Sequence, residues 1–300
     1  MRYLFLFLLF PLVGCTNPAS NFMVDIDLQG HRGTRGLYPE NTLPAFLAAL
    51  HIGVRTLELD IVSDAEGTVI VSHEPWMSAT ICSHPDGRPV SKEEQRSLNI
   101  FEMTYEEVSS FDCGLRGHEG FPDQQAVAAT KPKLVDVIDV VNAYAAEHGI
   151  PAPVFNVEIK SNKEHDGVYN LPPVEFVQLV YDVLAEKNML EMSTIQAFDA
   201  RVLEAMHKID PEVRTGWLVG NEDGFDANMA RLSFLPDIYT PNHKYVDAEL
   251  VASVHDAGML LVPWTVNETE RMRELIELGV DGIITDYPDR GRQLLDNFSR

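Results

Sequence analysis

Apolar positions along this chain follow two alternating rhythms. Short runs rich in β-branched residues are separated by longer stretches in which apolar residues recur every three or four positions. The first pattern predicts strands at Phe22–Gln29, Val54–Val62, Val154–Lys160, Ser193–Phe198, Val213–Leu218, Ile238–Pro241, Met259–Val266 and Asp281–Thr285. The second predicts helices at Leu43–Gly53, Leu134–Glu147, Val174–Lys187, Asp199–Ile209, Gly224–Leu232, Asp247–Ala257, Glu268–Leu278 and Pro288–Asn297. A turn at Asp64-Ala65-Glu66-Gly67 and a short strand at Thr68–Ser72 add a hairpin to the second strand. Strand and helix therefore alternate through eight units. Such alternation implies a parallel sheet, and eight units imply a closed (β/α)8, or TIM, barrel. A doubly wound open sheet is disfavoured, because no G-x-G-x-x-G follows the first strand.

The rhythm is interrupted once. Residues 74–131 are dominated by Pro, Gly, Ser, Asp and short charged pieces, with Thr104–Phe111 as a helical fragment. A segment of this length within a compact domain is an insertion, read here as hanging over one end of the barrel.

The N-terminus has a different character. Met1-Arg2 precedes the apolar run Tyr3–Val13, which is too short to span a bilayer and has the layout of an export signal. Its ending, Leu12-Val13-Gly14-Cys15, resembles a bacterial lipobox, making residues 1–15 a signal peptide with Cys15 lipidated. An ordinary cleaved signal with an incidental cysteine is the other reading. Residues 16–21 form a tether, and residues 22–300 form one barrel domain. The chain is then expected at the periplasmic face of a bacterial membrane, attached by its lipid alone. Thr16, where an aspartate would favour retention, points to the outer membrane.

Charge narrows the partners. A formal charge of -23 without a basic stripe excludes nucleic-acid binding through a positive surface. It serves solubility and leaves acidic clusters available for a divalent cation. With Cys15 acylated, Cys82 and Cys113 remain as an even pair in an exported chain, which predicts a disulfide closing a loop of about 30 residues. Such a bridge is worth on the order of 3 kcal/mol. Two separate buried thiols are the alternative.

Candidate chemistry collects at the predicted C-terminal strand ends, the functional face of such a barrel. The first strand runs into Gly30-His31-Arg32-Gly33, an acid/base group and a cation at a Gly-rich turn. Glu58 and Asp60, two apart on the second strand, face the same side of the sheet, as do Glu158 and Lys160 on the third. His73 ends the hairpin; Gln196, Trp264 and Asp286 end later strands. Carboxylates on neighbouring strands facing one way repel unless a cation lies among them, and all-oxygen ligation suits Mg²⁺ or Ca²⁺. The competing reading is a salt-bridge network with Arg32 or Arg55 and Lys160 as counter-ions.

Several motifs carry a family resemblance. His31-Arg32-Gly33, Pro39-Glu40-Asn41-Thr42-Leu43 with Ala45-Phe46, Glu58-Leu59-Asp60, His73-Glu74 and Val157-Glu158-Ile159-Lys160 resemble the glycerophosphodiester phosphodiesterases. So do Trp264-Thr265-Val266-Asn267 and the run from Gly279 to Pro288. The similarity extends from Gln29 to Pro288. It implies a metal-dependent TIM-barrel enzyme that cleaves glycerophosphodiesters to glycerol 3-phosphate and an alcohol. Glu58, Asp60 and Glu158 would hold one divalent cation, and His31 and His73 would act as acid and base. Arg32 and Lys160 would contact phosphate. From their own positions at strand ends, Gln196 and Trp264 are read as substrate-binding, Trp264 either walling the glycerol pocket or simply filling the barrel mouth. The chain departs from the family in one place, carrying Glu74 where Asp is usual after the second histidine.

The chemistry is consistent with that resemblance. One histidine deprotonates the nucleophile while the other protonates the leaving alkoxide. The nucleophile is water, or the substrate's own glycerol hydroxyl through a cyclic phosphate. A related TIM-barrel phospholipase acting on intact lipids is the enzymatic alternative, and a non-catalytic surface-binding barrel is the other class. His51, His84, His118, His148, His165, His207, His243 and His255 are read as surface or structural, and Glu40 and Asn41 as residues that help cap the first helix and order the His31 turn.

Overall fold

The computed structural model describes residues 26–298. The signal peptide, Cys15, the tether and the start of the first predicted strand lie outside the described residues. No described helix is long and apolar enough to cross a membrane.

Eight parallel strands form the barrel: β1 (Asp27–Gly30), β2 (Thr56–Ser63), β4 (Val154–Ile159), β5 (Ser193–Ala197), β6 (Arg214–Val219), β7 (Ile238–Pro241), β8 (Leu260–Leu261) and β9 (Gly282–Thr285). The intervening β3 (Val69–Val71) pairs antiparallel with the end of β2, forming the predicted hairpin. The sheet runs β8-β7-β6-β5-β4-β2-β1-β9. Backbone bonds from Asp281 N to Leu261 O, Ile284 N to Pro263 O and Val266 N to Ile284 O close β9 against the chain leaving β8.

The helices are α1 (Leu43–Ile52), α2 (Tyr105–Ser109), α3 (Leu134–His148), α4 (Pro173–Glu186), α5 (Ala200–Ile209), α6 (Phe225–Met229), α7 (Ala248–Asp256), α8 (Thr269–Leu278) and α9 (Pro288–Phe298). All but α2 surround the barrel. Two elements are much shorter than the sequence pattern predicts. β8 holds two residues of the expected Met259–Val266, because Pro263 has no N–H for the ladder. α6 has five, preceded by Gly224 as its N-cap with a positive φ of 83°.

β2 is buried along its whole length and sorts its side chains by parity. Leu57, Leu59 and Ile61 join Phe155, Val157, Phe46 and Phe176 in the core between barrel and helices. Thr56, Glu58 and Asp60 take the other face. The interior is held by polar groups as well: Asn156 donates Nδ2 to Gln29 Oε1 at 2.7 Å and to Gln196 Oε1 at 3.1 Å. These bonds offset part of the cost of burying the amides, although Asn156 Oδ1 has no partner among the described residues.

The insertion has a core of its own. Met77, Ile81, Cys82, Val90, Ile100, Val108, Phe111 and Cys113 pack with Val62 and Ile70 of the hairpin. Cys82 and Cys113 are joined by a disulfide, 31 residues apart. Besides α2, whose Thr104 and Glu107 form a reciprocal cap, two single 3₁₀ turns occur at Gln95–Ser97 and Ile100–Glu102.

Candidate active site

The turn after β1 is shaped by close approach. A Cβ on Gly30 would lie 2.2 Å from Gly33 O, and one on Gly33, at φ +84°, 2.7 Å from the backbone of Ala45. Glycine is required at both. Arg32 between them is left-handed at φ 50°, a conformation that costs a side-chain-bearing residue roughly 1–2 kcal/mol. The cost is offset locally: Arg32 N donates to Glu58 Oε2 at 2.9 Å, and its Nη1 donates to Glu40 Oε1 at 2.7 Å.

Strand register then brings the carboxylates together. Asp60 lies beside Glu158 across the β2–β4 pair, and Glu158 beside Gln196 across β4–β5. One ligand oxygen from each of Glu58, Asp60 and Glu158 lies within 4.8 Å of the others, and all three residues are buried. Lys160 Nζ donates to Glu158 Oε1 at 2.6 Å and lies 3.4 Å from Asp60 Oδ1, which accepts no hydrogen bond. Gln196 Nε2 donates to Glu58 Oε1 at 2.9 Å.

The three carboxyls differ in electrostatic state. Burial, with the charges of Asp60 and Glu158, pushes Glu58 well above the usual carboxylate range. Burial also raises Glu158, and Lys160 offsets only part of that. Burial acts on Asp60 in the same direction, but Arg32 and Lys160 outweigh it and hold Asp60 well below the ordinary range. A carboxyl driven towards neutrality beside two others marks a place short of positive charge. The oxygen-only donor set and the unsatisfied Asp60 oxygen fit a hard divalent cation.

The two histidines approach from different elements. His31 Nδ1 lies 2.6 Å from Asp286 Oδ1, and its Nε2 lies 3.9 Å from Glu58 Oε2. Burial holds His31 below its ordinary value, despite the opposing pull of Asp286. His73, half-buried at the end of the hairpin, has Nδ1 2.9 Å from Glu74 Oε1. Glutamate at this position therefore reaches back to the histidine.

His31, Arg32, Glu58, His73, Glu158, Lys160, Gln196 and Trp264 line one cavity of about 200 Å³ at the C-terminal strand ends. Asp60 lies beneath them. Opposite the charged wall, Phe198, Leu218, Trp264 and Ile284 give an apolar one; Trp264 meets Phe198 edge-on at 5.3 Å and donates Nε1 to Thr240 O. A larger cavity of about 500 Å³ opens between α6 and α7, but none of these residues reaches it. The chemistry belongs to the smaller one. Arg55, considered as a counter-ion, is remote from the carboxylates and donates to Ala152 O.

Sequence reasoning missed part of the support. Asn41 does not cap α1, whose N-cap is Thr42 without a side-chain bond. Instead Asn41 grips Asp60 twice, from Nδ2 to Oδ2 at 2.8 Å and at Oδ1 from Asp60 N at 3.2 Å. Glu40 likewise serves Arg32. Arg35 was not singled out at all, yet it forks onto Asp286 at 2.8 and 3.1 Å. Its position inside the His31 turn was the available signal.

Comparison with known proteins follows the same line. The chain is 27% identical over 272 residues to a glycerophosphodiester phosphodiesterase of Bacillus altitudinis, covering 89% of this chain and 97% of the relative. A solved Silicibacter pomeroyi structure, provisionally named a glycerophosphoryl diester phosphodiesterase, is 31% identical with a TM-score of 0.78, covering 91% of this chain and 93% of that one. A phosphodiesterase of Oleispira antarctica, solved in complex with the product sn-glycerol-3-phosphate, shares the fold at 20% identity and a TM-score of 0.71, covering 92% and 99%. The model of the glycerophosphoryl diester phosphodiesterase family matches residues 31–290, from the first histidine to the start of α9, and the chain belongs to that family.

Proposed function

We propose that this phosphodiesterase releases glycerol 3-phosphate and an alcohol in the cavity between His31 and His73, with one divalent cation held by Glu58, Asp60 and Glu158. The observation carrying this reading is the meeting of three buried carboxylates, two histidines, Arg32 and Lys160 around a single opening. Bound there, Mg²⁺ or Ca²⁺ supplies positive charge to the phosphoryl oxygens as negative charge builds in the transition state.

The protein's own groups do the rest. His31, neutral through burial, donates Nδ1–H to Asp286 and leaves Nε2 free to accept the nucleophile's proton. His73, tethered to Glu74, returns a proton to the departing alkoxide. Arg32 and Lys160 add fixed positive charge beside the phosphoryl group. Gln196 fixes Glu58, and Trp264 with Phe198 packs against the glycerol carbons. The nucleophile is water or the glycerol hydroxyl.

The volume of about 200 Å³ supports a glycerophosphodiester over an intact diacyl lipid. The lipobox-like Leu12-Val13-Gly14-Cys15 supports an exported enzyme anchored through Cys15 at the periplasmic face, in the outer membrane. The test is release of glycerol 3-phosphate from glycerophosphocholine, with and without chelator, beside lysophosphatidylcholine and intact phospholipid. Turnover that ignores chelation would sink the cation reading; preferential cleavage of intact lipid would favour the phospholipase alternative.

A further inference from the structure

Beneath the insertion a second cavity of about 140 Å³ adjoins the first, and Arg32, Arg35 and His73 face both. His31 lines the first cavity and not the second. The second is completed by Glu40 from the turn after β1 and by Glu74, Ser78, Thr80, Ile81 and His118 from the insertion.

Its carboxylates are already matched. Glu40 Oε1 takes Arg32 Nη1 at 2.7 Å, and Glu74 Oε1 lies 2.9 Å from His73 Nδ1. With Arg35 also present, no acidic surplus is left to recruit a cationic head group. The uncharged polar groups are the reverse. Ser78, buried at 5% exposure, accepts from Thr80 N at 3.3 Å, but its hydroxyl proton has no acceptor among the described residues. Thr80 Oγ1 at the rim has no partner among them. His118 takes Gly120 N on Nδ1 at 3.0 Å, leaving Nε2 open. Three uncharged hydrogen-bonding groups thus face one small space.

We propose that this cavity receives the leaving alcohol and that Ser78, Thr80 and His118 select a short neutral polyol. The inference rests on the roles given to His31 and His73 above. The O–P bond to the nucleophile forms as its proton passes to His31. The P–O bond to the alcohol breaks, its electron pair staying on that oxygen, which takes a proton from His73. Because His73 borders both cavities, the departing oxygen is at His73 and the alcohol beyond it. A space of about 140 Å³ corresponds to roughly four or five waters, the size of a glycerol and far below that of an acylated alcohol.

The experiment compares kcat/KM for glycerophosphoglycerol and glycerophosphocholine in the wild-type enzyme and in S78A, T80V and H118A. The wild type is expected to favour glycerophosphoglycerol. Each variant is expected to lose about three- to tenfold on that substrate while changing less than about twofold on glycerophosphocholine, as one hydrogen bond to a hydroxyl requires. Retained glycerophosphocholine turnover also shows that the variants fold. A wild-type preference for glycerophosphocholine, or variants with an unchanged ratio, overturns the polyol subsite and leaves the histidine mechanism standing. Inactivity of the wild type on both diesters overturns both.

Discussion

Asp286 Oδ1 lies 2.6 Å from His31 Nδ1, although 255 residues separate them in sequence. Barrel closure makes the contact: Gly30 pairs with Thr285 across β1 and β9, so the next residue of each strand emerges at the same rim. Asp286 also takes the Arg35 fork and Asn267 Nδ2 at 2.7 Å. Burial would raise its pKa, but His31 and Arg35 outweigh that, and the carboxylate stays ionised. His31 is thereby held with its proton on Nδ1.

Replacing Asp286 by asparagine keeps the shape and removes the orienting charge. D286N is expected to lower kcat by about 10²–10⁴-fold with a smaller change in KM. Steady-state kinetics beside circular dichroism check this; kcat within about threefold of wild type refutes an orienting role.

The two histidines separate by leaving group. H73A should lose about 10²–10⁴-fold on glycerophosphocholine but far less on a p-nitrophenyl diester of glycerol phosphate, whose leaving group needs no proton. H31A should be impaired on both. Equal losses for H73A on the two substrates argue against His73 as the acid.

Cation binding should be visible without turnover. Metal-depleted protein given Mg²⁺ or Ca²⁺ at about 100 times Kd gains about 2.7 kcal/mol, or roughly 5–10 °C in Tm. D60N should abolish the shift in differential scanning fluorimetry. An identical shift in D60N would place the cation elsewhere.

Glu74 makes stability depend on acid. Burial alone would raise its pKa, but the hydrogen bond and charge of His73, with Lys131 nearby, bring it down to about 2 from 4.5. A depressed carboxyl stabilises above its unfolded pKa and loses that contribution as pH falls through the folded value. Its side chain is 28% exposed, so the gain is at most about 1–2 kcal/mol. Urea denaturation of wild type and E74Q should differ by that amount near neutrality, the gap narrowing as pH falls from about 4.5 towards 2. A gap that widens reverses the assigned sign.

The Cys82–Cys113 bridge pins the insertion rather than the barrel. The C82S/C113S pair should lose on the order of 3 kcal/mol from the insertion. Limited proteolysis should then cut within residues 74–131 while α3 to α9 resist. Cleavage spread through the barrel would mean the two parts unfold together.

Much of this was legible in the linear chain. Alternating short apolar runs and helical periods determined eight strand–helix units, since burying a strand on both faces and a helix on one leaves those two patterns. The i and i+2 spacing of Glu58 with Asp60, and of Glu158 with Lys160, determined that each pair shares a face, because side-chain direction along a strand is local geometry. The motifs from His31 to Asp286 pointed to the phosphodiesterase family.

Relations between strands were decided by tertiary structure. Register set Asp60 beside Glu158, closure set Asp286 beside His31, and the fold behind β1 gave Glu40 and Asn41, expected to cap α1 and order the His31 turn, their partners in Arg32 and Asp60. Pro263 cut β8 short because a missing donor matters only once a neighbouring strand is present to be paired. His118, read as a surface or structural residue, lines a cavity because the insertion folds back over His73. Local pattern records which way a side chain points, whereas what it meets depends on contacts between distant segments, which no period in the sequence encodes.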